Sequence, residues 1–368
     1  MTFSGKSPTT PGMADRRGNL WILGCSVVAT IIIWELIARW FLPAPLPWRY
    51  PQLRYRPDPI LIFSLRPDQE AYTADKPAKI NSRGLRGELI PYERTSQRLR
   101  LLFLGDSIAF GYGVDNDQGA VERVVALLRE AGLAAEAINS SVPSYNTAQE
   151  IAYLEHEGIR YRPDWVILTT CWNDVNEKST VWVSPEGWLL SAGNREPGMM
   201  ARVRESPASY AIHNFMKRSR LLYGAFQAIQ TMRGETEDNA RLRTDVLEGR
   251  ESPQVVHGWS EVAMGVRRLH QLSQVEGFRA LIVAFPLPLM LDRPYHNSSY
   301  PERLRRIAAE EGVPFLDLGP VFGSAYRGHE SLFIPYDGDH PNAHGHDLAA
   351  REIVRSIQAA RAQEIGSP

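Results

Sequence analysis

Cysteine is nearly missing from this chain: Cys25 and Cys171 are the two in 368 residues, and Cys25 sits inside an apolar run. That excludes a disulfide framework, and with it the small stapled secreted scaffolds. Net charge is equally scarce. Lys and Arg number 41 against 42 Asp and Glu, leaving −1, so there is no basic footprint for a phosphate backbone and no nucleic-acid partner is expected. No Walker or dinucleotide glycine loop occurs, which leaves nucleotide cofactors without a cradle. Internal repeats and low-complexity tracts are missing too. What remains is an ordinary globular composition, 43% hydrophobic, 10% aromatic and 23% charged. It supplies enough apolar surface for a full core and excludes a disordered chain. The length corresponds to about two and a half average domains.

One long apolar run exists. Leu20 to Leu42, LWILGCSVVATIIIWELIARWFL, is long enough to cross a hydrocarbon core of roughly 30 Å. Glu35 and Arg39 interrupt it near one end, four residues apart, where they can pair on one helix face and snorkel toward the headgroups. A buried or interfacial helix is the alternative. Flanking positive charge does not orient the span: Lys6, Arg16 and Arg17 precede it, and Arg49, Arg54 and Arg56 follow it. The short polar head and large polar remainder favour an uncleaved signal anchor, with the bulk of the chain extracytoplasmic or periplasmic.

The chain then divides as follows. Residues 1–19 are a polar tail, 20–42 the anchor, and 43–97 a proline-rich linker and an irregular collar. Residues 98–360 are one α/β domain with an insertion at 178–257, and 361–368 are a tail. Within the domain, short apolar runs at 100–104, 135–139, 165–170, 278–285 and 313–318 read as strands. Between them lie helical stretches near 119–131, 147–159, 260–275 and 300–311, with a final helix near 343–360. Continuous apolar strands alternating with helices predict a three-layer α/β/α fold with a five-stranded parallel sheet. In the insertion, Val181–Leu190 reads as a hairpin and Tyr210–Met232 as one amphipathic helix. Residues 233–254 read as a polar, mobile stretch.

In such folds ligands bind beyond the carboxyl ends of the strands, so the polar residues following the first, second and third strands belong to one candidate site. Gly105-Asp106-Ser107 follows the first strand, and a serine hydroxyl is a weak nucleophile until a base takes its proton. Asp337-Gly338-Asp339-His340 precedes the last helix, with a carboxylate three residues before a histidine. Asp337 can hold one ring nitrogen of His340 while the other faces a serine. Asn173, in TTCWND after the third strand, offers a side-chain amide to a developing oxyanion. His344 and His346 read as surface or first-turn helix residues, so no metal site is expected. Asp174 reads as structural.

Together these blocks resemble the SGNH (GDSL) hydrolase superfamily over roughly residues 97–360. GDSIAFG is similar to its first block, TTCWND to its third and DGDHPNAHGH to its last. Ile80–Gly87, INSRGLRG, further resembles the lead-in of bacterial membrane-anchored or exported members. The resemblance implies a flavodoxin-like sheet and a catalytic triad of Ser107, His340 and Asp337. It implies an oxyanion hole of the Ser107 and Ser144 N–H groups with the Asn173 amide, and no cofactor. Two positions depart from the pattern. Ser144 stands where the family's second block has glycine, without that residue's freedom at φ > 0, and Cys171 stands where the third block begins with glycine.

The expected activity is serine esterase chemistry on small acyl esters, an acetyl group of a cell-surface or exported carbohydrate by resemblance. Two alternatives stay open. A sugar hydroxyl in place of water would make the same triad an O-acyltransferase, and the Ser144 and Cys171 departures would suit a non-catalytic anchored binding subunit.

Overall fold

Burial of whole strands dictates the architecture of the computed structural model, which describes residues 13–175, 181–191, 206–233, 237–292 and 299–365. In chain order, the elements begin with the long helix α1 (Met13–Phe41). Four short strands follow: β1 (Tyr55–Asp58), β2 (Ile62–Leu65), β3 (Gln69–Thr73) and β4 (Lys76–Ile80). The α/β domain opens with β5 (Leu99–Leu104), the single-turn α2 (Ser107–Phe110), α3 (Ala120–Glu130) and β6 (Ala135–Asn139). Next come α4 (Thr147–His156) and β7 (Trp165–Thr170). The insertion holds β8 (Val181–Val183), β9 (Leu189–Ser191), α5 (Pro207–Lys217), α6 (Arg220–Arg233) and α7 (Glu237–Glu248). The chain closes with α8 (Pro253–Glu276), β10 (Arg279–Ala284), α9 (Pro288–Leu291), α10 (Ser299–Glu310), β11 (Phe315–Asp317), α11 (Gly319–Ala325) and α12 (Ala343–Ile365).

Five strands form one parallel sheet in the order β11-β10-β7-β5-β6. Every residue of β5 and of β7 is buried, as a sheet covered on both faces requires. Helices α3 and α12 pack together on one face, and α4, α8 and α10 lie on the other. The five predicted strands and the layer order are therefore present. The order reverses at β5, so the crevice beyond its carboxyl end is where this class of sheet takes ligands.

The collar is a pair of antiparallel hairpins, β1–β2 and β3–β4. Phe63, Leu65, Ala71, Ala78 and Ile80 are buried in the same apolar core as the sheet. Side-chain bonds join it to the domain, among them those of the Tyr145 hydroxyl to the Phe63 carbonyl (2.8 Å) and of Gln149 Nε2 to the Leu61 carbonyl (2.7 Å). The hairpin expected at Val181–Leu190 forms as β8–β9.

Two expectations for the insertion fail. Tyr210–Met232 is not one helix: it breaks at Arg218–Ser219 into α5 and α6. The cause is capping, since Ser219 Oγ accepts from the Leu222 N–H (3.1 Å) and Glu35 accepts from the Arg220 and Leu221 N–H groups. The polar stretch 233–254 contains α7, whose Leu242, Val246 and Leu247 are buried. Three apolar residues at helical spacing outweigh its polar average. Residues 234–236 of that stretch, and 178–180 and 192–205 of the insertion, lie outside the described residues.

Leu20–Phe41 is one helix long and apolar enough to cross a membrane, with none of its most apolar window buried by the rest of the chain. Arg39 Nε donates to Glu35 (2.9 Å), the pairing expected of them.

Candidate active site

Strand β5 delivers Ser107 to the crevice through a turn that only glycine permits. A Cβ on Gly105 would stand 2.1 Å from Thr169 Oγ1 and 2.7 Å from Ala109 Cβ, so the backbone passes β7 too closely for a side chain. Asp106 then caps α2, its Oδ1 accepting from the Ile108 N–H (2.8 Å). Ser107, the first residue of α2, is partly exposed while the rest of that turn is buried.

The loop before α12 brings its histidine to that serine. His340 Nε2 lies 2.8 Å from Ser107 Oγ, and His340 Nδ1 lies 2.8 and 2.9 Å from the two Asp337 oxygens. Asp337 Oδ1 also accepts from the backbone N–H groups of Asp339 and His340 (2.9 and 2.8 Å). Burial pushes the Asp337 carboxyl up, but the charge and hydrogen bonds of His340 and those two N–H groups outweigh it and hold it at about 2. An ionised Asp337 can only accept. Nδ1 therefore carries the ring proton, and Nε2 is left to accept from the Ser107 hydroxyl. Tyr112 stacks on the imidazole, ring centroids 4.7 Å apart.

Burial lowers the His340 pKa, yet Asp337, and behind it Asp339 and Asp106, raise it above 6.5. A base must be neutral to take a proton. Activity is thus complete above the raised pKa and lost as pH falls through it. The kcat/KM profile of the full chain should show an acid limb with an apparent pKa above 6.5. A limb at or below 6.5 would contradict the electrostatics of this loop.

Asn173 follows β7 in a short 3-10 turn. Its Nδ2 donates to Asp106 Oδ2 (2.8 Å) and its Oδ1 accepts from Cys171 Sγ (2.8 Å), which leaves one amide hydrogen for a further acceptor. Asp106 thus ties the serine turn to the asparagine, a positioning role that its identity as a common turn residue did not disclose. Cys171 is buried, and burial with nearby Asp106 and Asp174 pushes its thiol well above the usual range, so it is no thiolate nucleophile. Asp174 has the structural place expected of it, accepting from the Cys171 N–H (2.7 Å) and the Thr147 hydroxyl (3.0 Å).

Ser144 lies in the turn after β6, which the Val142 N–H fastens to the Gly105 carbonyl at the end of β5 (3.0 Å). The expectation was that a serine forfeits the left-handed backbone, but Ser144 adopts it, at φ +75. Neighbouring Tyr145, locked onto Phe63 by its hydroxyl bond and a ring contact at 5.3 Å, holds the turn in that shape. A non-glycine residue there stores on the order of 1–2 kcal/mol, and glycine would give back about half of that in chain entropy. Ser144→Gly should therefore raise unfolding stability by up to about 1 kcal/mol, read by urea titration, while Ser144→Ala should not. A loss of stability in Ser144→Gly would mean that the serine side chain outweighs the backbone strain.

Two further residues escaped the sequence reading. His346 lies in the first turn of α12, one of the two places expected of it, but is fully buried there. Its Nδ1 accepts from the Ala120 N–H (3.3 Å), and burial with the positive charges of Arg86 and His340 lowers its pKa to about 3. The reason is the packing of α12 on α3, which turns one face of the helix inward. Arg86, inside the INSRGLRG segment, is buried beneath the serine turn. It donates to the carbonyls of Phe110 and Gly111, and to those of Val114 (2.8 Å) and Pro77 (3.3 Å). The segment marked itself only by resemblance, and nothing local in it pointed to this socket. A cleft of about 590 Å³ bordered by Trp165, Arg279 and Val313 lies at the amino ends of the strands, away from Ser107, and holds none of the expected residues.

A buried parallel sheet with a serine, a histidine and a carboxylate aligned beyond its carboxyl edge is the framework of a serine hydrolase. Residues 103–348 match the GDSL-like Lipase/Acylhydrolase family, more than half of the chain, and the chain belongs to that family. Among solved structures, Axe2, an acetylxylan esterase from Geobacillus stearothermophilus, is 18% identical with a TM-score of 0.41. That likeness covers 70% of this chain and 93% of Axe2. TesA is 15% identical with a TM-score of 0.42, over 71% of this chain and 98% of its own. No curated protein matches the chain.

Proposed function

We propose that the chain is a membrane-anchored serine esterase that removes small acyl groups, an acetyl group of an exported or cell-surface carbohydrate being the class the resemblance implies. Ser107 attacks the ester carbonyl while His340 Nε2 takes its proton, and Asp337 steadies the imidazolium. The N–H groups of Ser107 and Ser144 and the free amide hydrogen of Asn173 receive the oxyanion. His340 returns the proton to the leaving alkoxide, and water, deprotonated by the same nitrogen, releases the acid and restores Ser107. The observation that carries this reading is the unbroken line from Asp337 through His340 to the Ser107 hydroxyl, at 2.8 Å in each link. It also weighs against a binding subunit, which has no use for an aligned base.

The short acyl chain rests on Cys171. Its buried thiol fills the space beside the Asn173 amide where glycine would leave room. The test is kcat/KM for p-nitrophenyl esters from acetate to octanoate. The expected order falls with chain length by about tenfold or more from acetate to octanoate, and a rising order would overturn the small-acyl assignment. Covalent capture of Ser107 by a fluorophosphonate tests the nucleophile independently, because an acyltransferase that hydrolyses slowly would still be labelled. On this reading the catalytic domain lies outside the cytoplasm, so protease added to intact spheroplasts should digest it; protection would reverse the topology.

A further inference from the structure

Helices α5 and α6 bury Tyr210 and Tyr223 but turn a row of apolar residues outward. On α5 the apolar residues Ala208, Ala211, Ile212 and Phe215 are exposed, and on α6 so are Leu222, Ala225, Ala228 and Ile229. Ile212, Phe215 and Leu222 leave 64%, 67% and 58% of their surface uncovered. Spacings of three and four place each set on one helix face. The polar residues point the other way, into the protein. Asn214 exchanges two hydrogen bonds with the backbone of Trp48, buried Lys217 donates to the Leu46 carbonyl, and the Tyr223 hydroxyl accepts from Gln227. A helix packed on a soluble domain shows the reverse arrangement.

The tip of this hairpin is fastened inside the apolar run of α1. Glu35 accepts from the Ser219 hydroxyl (2.7 Å) and from the backbone N–H groups of Arg220 and Leu221 (3.1 Å each), so a carboxylate of the span caps α6. In return the Arg220 guanidinium reaches the carbonyls of Leu42 (2.8 Å) and Arg39 at the end of α1. Glu35 precedes Phe41 by six residues, so the tip sits about 9 Å inside the end of the span. Whatever surrounds α1 at that depth must also meet Phe215 and Leu222, which flank the tip.

We propose that the Pro207–Arg233 hairpin is a second membrane element, its exposed apolar face seated in the headgroup and acyl boundary of the lipid bilayer that α1 crosses. This rests on reading α1 as a span. Ser219 and Arg220 at the tip are taken up by Glu35 and the α1 carbonyls, which lowers the polar cost of burial, and the exposed Arg218 is left to meet a headgroup phosphate. The catalytic loop stands on the same element. Tyr223 of α6 packs edge-on against Tyr336 (5.1 Å), and the Tyr336 hydroxyl donates to the Pro43 carbonyl just past α1 (3.2 Å). Asp337 follows directly, so the site is held close to the membrane surface and suits acyl esters displayed there.

The experiment uses the full chain with Cys25→Ser, reconstituted into phosphatidylcholine and phosphatidylglycerol vesicles; Cys171 is buried and escapes labelling. Single cysteines at Phe215 or Leu222, and at Val275 on α8 as an exposed control (79% uncovered), carry an NBD fluorophore. The expected result is quenching of the 215 and 222 probes by lipid nitroxides at least threefold above the 275 probe, with protection from aqueous iodide. Probes at 215 and 222 as open to iodide as that at 275, in vesicles that retain the chain through alkaline carbonate, would overturn the hairpin proposal alone. Shielding from both quenchers would also overturn it, in favour of a protein partner. Release of the chain by carbonate would instead overturn the span on which it rests.

Discussion

Ser107→Ala and His340→Ala should each lower kcat for p-nitrophenyl acetate by at least about 10³-fold, with the double variant no worse than either single one. Each removes half of a single proton-transfer unit. Without the hydroxyl there is no nucleophile, and without the imidazole the hydroxyl stays protonated. The costs are consequently not additive. Asp337→Asn should approach the same loss by a different route, because an amide can donate to Nδ1 and so favours the wrong tautomer. The carboxylate here takes both Nδ1 and two backbone N–H groups. KM should change little in all of these, since none of the three groups is needed to seat the ester. Activity retained within tenfold in Ser107→Ala would remove the proposed nucleophile. Additive losses in the double variant would mean that the 2.8 Å contact between the two residues is not used.

Arg86→Met should be the most damaging single change away from those three residues. Its guanidinium gathers the carbonyls of Phe110, Gly111 and Val114 from one tight loop and that of Pro77 from β4. Burial lowers its pKa to about 10, so the cation persists at neutral pH. Removing it takes a donor from four carbonyls, of which those of Phe110 and Gly111 keep only long bonds from Asn139 Nδ2 (3.5 Å) and the Val114 N–H (3.4 Å), at about 1–3 kcal/mol for each left unsatisfied before relaxation. A net loss of about 3–5 kcal/mol is expected, a fall in Tm of roughly 10 °C. The loop also carries Tyr112, which stacks on His340, so kcat should fall even at temperatures where the variant is folded. Arg86→Lys should recover only part of the stability, because one ammonium cannot fork across carbonyls on two sides. Near-wild-type stability in Arg86→Met would show that water replaces the guanidinium without cost.

Ser107, Asn173 and the Asp337–His340 pair were legible in advance, and Arg86 was not. Ser107 and Asn173 could be placed on the carboxyl edge because each follows a short apolar run, and burial on both faces is written in such runs residue by residue. Asp337 and His340 are three apart, close enough for their bond to be foreseen without knowing the fold. Arg86 offered no such signal: its acceptors belong to residues 24 to 28 positions later and to the preceding strand, and arginine in a polar segment reads as solvated. The insertion shows the same divide. Hydrophobic spacing identified an apolar face between Tyr210 and Met232, but neither its break at Ser219 nor the direction it faces is local, since both depend on Glu35, more than 180 residues earlier.

By itself the sequence determined the apolar run of α1, the five strands, the serine and asparagine blocks beyond their carboxyl ends and the spacing of Asp337 and His340. These follow from patterns repeating over two to four residues, which short-range sterics and burial enforce. The tertiary structure alone decided that Ser144 takes a left-handed backbone, that His346 is buried and neutral, that Arg86 underlies the serine turn and that α5 and α6 turn their apolar faces outward. Each of these is an energy balance between segments far apart in the chain. Which partner a buried polar group finds, and which face of a helix is left uncovered, are settled only when those segments meet.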